Sequence, residues 1–505
     1  MKKISFRILI FLMLLIVISC HHNRLKTNEK ELAKEIKNQE SEIKEAERIA
    51  SENHVSDTLV KTHGGFFYKE DRSVDLKHPP VVIDFSKEIP VRKFKLSNIA
   101  SKVRYLVLQV PDDSNYFSEV GVLNITLNNI ITSNIFGIQR FSRDGKFIET
   151  ICKNSFSGKN EIKFDNPLGS FFPIETFRGA IHGVNTIGNK VFYKYSNYPE
   201  EKASLVRFSL KDNSQSLTLA QPVEAGQPET FAKGEIISEG TESLSIPQPE
   251  LIPVSDYCYA SIIPKLKTLE RNSLLMITFN LKGDTLCKFK QYDFLDVPIT
   301  KTLNLGIPHL KWYYGQSSTF KWAFNDTIFR LIPPNRLVPA FIFNFGKYKT
   351  TDEDWFQLNI KMHEKLIPNE ILEDARYLYI IYDYFPIEKN AKSKLEYALF
   401  DKSTNILFRL KFDDEQKNKL LDPLESMRNH WKAGFENDMD GGTPFWPRYI
   451  TSDRNIAMTL QPELLKHFIQ HSDYMSTNDP RKKAFATFVN SLKTGGRELV
   501  IMFAE

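Results

Sequence analysis

The chain has 505 residues, 41% hydrophobic, 26% charged and 12% aromatic, which excludes a single small domain and the compositions of disordered, collagenous or polytopic membrane proteins. Its formal charge of +5 falls to +2 once Lys2, Lys3 and Arg7 are set aside with the leader described next, so no nucleic-acid partner is expected. Four cysteines without a CxxC pair exclude both a disulfide-dense scaffold and a zinc ribbon.

Residues 1–20 read "MKKISFRILIFLMLLIVISC", a basic start followed by an apolar stretch too short for a stable membrane span, and therefore a signal peptide over 1–19. Val17-Ile18-Ser19-Cys20 at its end matches a bacterial lipobox in register with the apolar stretch. Cys20 is thus the expected lipid attachment site, and its acyl chains would hold the protein on a membrane permanently. The outer membrane is the expected location. The residues after Cys20 (His21, His22, Asn23 and Arg24) carry no acidic run, which tilts the expectation to its periplasmic side.

Residues 20–80 are expected to form a lipid-anchored helical stalk and linker. Within 24–50 there is no Gly or Pro, and fourteen of the residues are charged, seven basic and seven acidic. Leu25, Leu32, Ile36, Ile43, Ala46 and Ala50 fall on heptad positions, but Glu29 and Gln39 break the seam. A solvated spacer is therefore preferred over a dimerising coiled coil. The folded body is expected to start near Val81, after the Pro79-Pro80 pair.

From there to the C-terminus the pattern is β. Residues 119–152 divide into four short strands with a turn at Arg143-Asp144-Gly145, the make-up of one propeller blade. The pattern returns with "NKVFYKYS" and "SLVRFSLK", then "SLLMITFN" and "TLCKF", "DTIFRLI" and "LVPAFIFNF", and "YLYIIYDY", "EYALFD" and "NILFRLKF". Outer turns are expected near residues 144, 212, 283, 346 and 403. "FWPRYI", "NIAMTL" and "ELVIMF" supply a sixth blade, closed by "VRYLVLQ" from the N-terminal side. The fold class is accordingly all-β: a six-bladed β-propeller over 81–505 with two inserted helices, 462–471 and 480–492, the second capped by Asp479. Glycine is scarce, so Asn and Asp are expected at many corners.

The lipobox, "QRFSRDGKFIETI", "NDTIFRLIPPNRLVPAFIFNFGK" and "GFENDMDGGTPFWPRY" together resemble the uncharacterised six-bladed β-propeller lipoproteins of Gram-negative anaerobes, akin in shape to NHL-repeat and TolB-like propellers. The resemblance implies a fold and an envelope location, with substrate and activity unknown. No cofactor follows from it.

No HExxH, GxSxG or Walker sequence occurs, and no catalytic, cofactor-binding or metal-binding residue is assigned. Ser142-Arg143-Asp144-Gly145 approaches the Asp box of sialidases but lacks its Trp, and reads as a turn. Glu463, His467 and His471 repeat at helical spacing and read as a solvated face. Cys258 and Cys287 either pair or remain buried thiols. The densest set of polar and aromatic groups is 436–448, where Asp438, Asp440, Trp446 and Arg448 form a candidate ligand loop for a cation, a glycan or a carboxylate. The opposing reading is a structural turn whose Asp side chains bond to nearby backbone N–H groups while Gly441 and Gly442 supply positive φ. Two functions follow: a non-catalytic binding or scaffold module for a glycan, peptide or partner protein, or an envelope hydrolase or lactonase acting at the channel mouth.

Overall fold

Six small antiparallel sheets follow one another along the chain, each packed on its neighbours through both faces. They form a six-bladed β-propeller in this computed structural model. It describes residues 59–61, 66–68 and most of 80–505, with the larger breaks at 157–176, 220–249, 263–273, 291–309, 355–362 and 412–433. Cys20 and the stalk lie outside the described residues. Within the linker, Leu59–Lys61 and Phe66–Tyr68 pair as a short hairpin.

Blade 1 comprises Val122–Ile125, Asn129–Asn134, Gly137–Ser142 and Phe147–Lys153, in the order expected. Blade 2 runs from Ser155–Phe156 to Gln215–Leu219, and blade 3 from Glu250–Pro253 to Thr285–Lys290. Blade 4 spans Leu310–Tyr314 to Arg336–Asn344, and blade 5 spans Lys365–Glu373 to Ile406–Leu410. Blade 6 holds Tyr449–Ile450, Ile456–Leu460 and Glu498–Ala504.

The N-terminal part of the body crosses the outer edges of three blades before blade 1 begins. Val81–Asp84 adds a parallel strand to blade 4, Val91–Arg92 adds one to blade 5, and Val103–Gln109 pairs antiparallel with Glu498–Ala504 to complete blade 6. Ring closure is therefore made by the two strands anticipated from sequence. An outer strand presents unpaired N–H and C=O groups, and this belt covers them.

Because each blade is sandwiched, successive side chains of one strand enter different interblade cores. Ile130 packs toward blade 6 with Phe141, Ile501 and Phe503, while Ile131 packs toward blade 2 with Val191 and Tyr193. This explains the near-continuous apolar strands. All seven residues of Glu498–Ala504 are buried.

Helix α1, Pro462–Gln470, and helix α2, Pro480–Ser491, are inserted between the last two strands of blade 6. Asp479 caps α2 by accepting a bond from the Arg481 N–H at 2.9 Å. Leu465, Ile469, Phe485 and Val489 join the core shared by blades 5 and 6. Glu463 accepts from the Gly495 N–H at 2.5 Å, which ties α1 to the turn before the last strand. His471 lies outside the described residues.

One outer turn differs from the sequence expectation. Gly346 follows the last chain-consecutive strand of blade 4, and the turn between the third and fourth strands lies at Pro333-Pro334-Asn335. Glycine drew the expectation, yet two prolines and an asparagine make this corner. Elsewhere asparagine does replace glycine: Asn213 and Asn405 adopt φ of 55° and 57°. At Gly145, φ is +88° and a Cβ would stand 2.6 Å from the Val107 carbonyl, so the glycine lets this turn approach the closing strand.

Blades 4 and 5 are braced by Glu373, which is 0% exposed. Its carboxylate accepts from Arg330 Nη2 at 2.6 Å, Arg330 Nη1 at 3.1 Å, Lys402 Nζ at 3.1 Å and Trp312 Nε1 at 3.1 Å. Both cations lie over the ring of Tyr314, at 4.3 and 4.5 Å from its centre.

Candidate binding site

Residues 434–448 connect blade 5 to blade 6 and are built on an aromatic core. Phe435 and Phe445 exchange backbone hydrogen bonds of 2.8 and 3.0 Å, which draws the two ends of the loop together. Trp446, 2% exposed, stacks on Phe435 and meets Tyr379 and Tyr397 edge-on.

The polar residues between these ends close tight turns. Asn437 Oδ1 accepts from the N–H groups of Met439 and Asp440, and Asp440 Oδ1 accepts from the Gly442 N–H at 2.8 Å and from Asn437 Nδ2 at 2.6 Å. Asp438 instead reaches across to the N-terminal belt, where it accepts from the Ser97 N–H at 3.1 Å and the Ser97 hydroxyl at 2.7 Å. Gly441 has φ of +71°; Gly442 does not share it and is required for another reason, since its Cβ would lie 2.3 Å from the Tyr105 hydroxyl. Burial and the neighbouring Asp440 both raise the Tyr105 phenol, which stays protonated.

The four candidate residues of the loop do not converge on one point. Asp438 faces Ser97, Asp440 serves the turn, Trp446 lies in the core, and Arg448 forms an ion pair with Glu370 of blade 5. The loop and its neighbours line a half-open cavity of about 210 Å³, whose wall includes Lys93, Lys411 and Lys482 with Glu436 as the acidic counterpart. Glu436 pairs with Lys93 at 3.2 Å, so the lining side chains carry three ammonium groups against one carboxylate, with Asp440 behind the Asn437 and Gly442 side of the wall. Tyr474 forms part of the wall, donates to the Gly441 carbonyl and lies under the Lys482 ammonium at 5.3 Å. Sequence reasoning had no signal for this lysine set, because its members lie on the belt, after the last strand of blade 5 and in the first turn of α2.

Burial would raise the Asp438 carboxyl, but the Ser97 hydrogen bonds outweigh it and hold the group below the ordinary carboxylate range. A carboxyl lowered on folding adds stability that is present above its unfolded value and is lost as pH falls through the folded one. Asp438→Ala is expected to cost about 1 kcal/mol at pH 7, the usual worth of a partly exposed charged hydrogen bond. The difference from wild type should shrink as the pH drops below about 4, as urea melts across pH would show. A deficit that stayed constant to pH 2 would contradict the Ser97 clasp.

Elsewhere, the described cysteines Cys152, Cys258 and Cys287 form no disulfide with one another, and burial pushes the Cys258 thiol upward. Ser142 to Gly145 form the outer turn of blade 1, with Arg143 bonded to Asp453 of blade 6 at 2.7 Å. On the first strand of blade 4, burial lowers Lys311 to about 8, and on blade 5 Asn369 Nδ2 of the first strand donates to Asp383 of the second at 2.8 Å. Among the described residues no group of three His, Cys, Asp or Glu side chains is placed to hold a metal ion.

A family model described as a domain of unknown function, DUF4933, matches residues 64–471. The chain belongs to the DUF4933 family. The match takes in blades 1 to 5, the first two strands of blade 6, α1 and most of the 434–448 cavity, and it ends before α2 and Glu498–Ala504. No curated protein matches this DUF4933 chain. Among solved structures it is similar to a Bacteroides fragilis protein inferred to be exported, at 13% identity and a TM-score of 0.49, covering 84% of this chain and 99% of that one. It is also similar to a DUF4221 family member from Bacteroides vulgatus, at 10% identity and a TM-score of 0.35, covering 80% and 97% respectively.

Proposed function

We propose that this DUF4933 protein is a lipoprotein, anchored at Cys20 on the periplasmic side of the outer membrane, whose propeller binds an acidic glycan or peptide without catalysis. The lipobox supports the anchor. The observation that carries the binding reading is the cavity of Lys93, Lys411 and Lys482, where a single carboxylate opposes three ammonium groups. Three lysines held on separate elements form a positive concavity that attracts anions and fixes their register. Gly441 lies against Lys482, where a Cβ would stand 2.9 Å from the lysine Cγ, so the glycine lets this lysine sit on the turn.

The test is a titration of wild type and of the double variant Lys411→Glu, Lys482→Glu with an oligogalacturonate and with hexaglutamate at low salt. Wild type should bind one of these, more weakly as salt rises, because exposed charges are screened over about 8 Å at physiological ionic strength. The double variant should lose at least tenfold in affinity while melting like wild type. Equal binding by both proteins, or binding indifferent to salt, would remove the cavity from consideration.

A further inference from the structure

The two cations of the Glu373 brace also line a cavity. At the seam of blades 4 and 5 an opening of about 310 Å³ is walled by Val338, Ala340, Phe341 and Phe400, and its polar end is made by Arg330 and Lys402. We propose that this cavity binds an amphipathic monocarboxylate of the size of an eight-carbon fatty acid, with the carboxylate on Arg330 and Lys402 and the chain along the apolar wall.

Charge sets the head group. Arg330 and Lys402 each remain 17% exposed while their shared partner Glu373 is fully buried, so two cations border the cavity with one carboxylate behind them. One further negative charge neutralises it. The nearest other acids are already engaged: Asp401 pairs with Arg376 at 3.1 Å, and the Asp374 carboxylate accepts from the Tyr379 hydroxyl on the far face of the blade. Donors are to hand as well. Lys402 has three N–H bonds and gives two, to Glu373 and to the Asp374 carbonyl, while Arg330 has five and directs those in use toward Glu373 and Thr319. The Tyr314 ring beneath both groups holds them in place, so little side-chain entropy is lost on binding.

Shape and polarity set the tail. On the scale of ~30 Å³ of liquid volume per water, the cavity accommodates roughly ten non-hydrogen atoms, the count of an octanoate ion. Its side walls come from Arg336–Asn344 and the belt residue Val81 on blade 4 and from Phe400 on the third strand of blade 5, and carry no charge of their own. A polyanion would find no second cation cluster along them. Ile332, two residues beyond Arg330 on the same strand face, is 37% exposed and extends the apolar surface.

The experiment measures binding of octanoate, octylamine and butyrate to the full chain by calorimetry, with melting temperature as a second readout. Octanoate should bind and raise the melting temperature, octylamine should do neither, and butyrate should bind at least tenfold more weakly. Ala340→Phe, which fills the wall without touching the brace, should cost octanoate at least tenfold; Lys402→Gln, which removes one head-group cation, should do the same if the bulky variant folds poorly. The double variant Lys411→Glu, Lys482→Glu should bind octanoate normally, which keeps this site separate from the lysine cavity. Equal stabilisation by octanoate and octylamine, or full octanoate affinity in both cavity variants, would overturn the proposal.

Discussion

Deleting residues 498–505 is expected to abolish cooperative folding of the propeller. Glu498–Ala504 is the third strand of blade 6, bonded on one side to Ile456–Leu460 and on the other to Val103–Gln109, and every one of its residues is at most 4% exposed. Its removal takes six apolar side chains from two interblade cores and leaves the closing strand without a partner. At roughly 1.5 to 3 kcal/mol for each large buried side chain, the loss is on the order of 10 kcal/mol, comparable to the whole stability of an ordinary domain. Circular dichroism during a thermal scan should show no sharp transition. Ile501→Ala grades the effect, with an expected cost of 2 to about 5 kcal/mol for a fully buried site and a transition that remains cooperative. A truncated chain that melted like the intact one would show that ring closure does not depend on this strand.

The second large effect is at Glu373. Glu373→Leu leaves Arg330 and Lys402 facing each other over Tyr314 without a counter-charge, and breaking one partner of a buried ion cluster costs about 3 to 5 kcal/mol. Because the carboxylate is wholly buried, this loss should depend little on salt. The triple change Glu373→Leu, Arg330→Met, Lys402→Met removes the orphaned charges and should recover most of the stability, since well-packed apolar groups substitute for a buried ion cluster at little net cost. Urea denaturation of the three proteins measures both steps. If the triple variant were no more stable than the single one, the brace would be stabilising through geometry that apolar groups cannot imitate. The triple variant also lacks the cationic end of the cavity between blades 4 and 5, and should not bind octanoate whatever its stability.

The loop at 434–448 shows how far sequence reasoning reached toward the site. Its acidic and glycine residues were legible as turn chemistry: the short polar side chains of Asn437 and Asp440 take backbone N–H groups two or three residues on, and Gly441 supplies the positive φ. That Asp438 bonds Ser97 was not legible, because 341 residues separate them. Trp446 had the composition of a ligand platform. The structure places it among Tyr379, Tyr397 and Phe435, contacts that exist only once blades 5 and 6 are side by side.

By itself the sequence determined the number of blades, the strands of most of them and the pairing that closes the ring. Strand formation and hairpin pairing are local: short apolar β runs separated by turn residues identify them, and the leftover strands at the two ends had few other partners. The position of the two helices was equally local, set by Pro462, Asp479 and Pro480. Only the tertiary structure decided the belt of Val81–Asp84 and Val91–Arg92 along the outer edges, because a parallel edge strand carries no turn to announce its partner. It alone decided which charges meet. Glu373 meets Arg330 and Lys402 through the packing of blade 5 on blade 4, and Lys93 meets Lys411 and Lys482 where the belt pairs with the edge of blade 5 and α2 approaches it, relations that no spacing along the chain encodes.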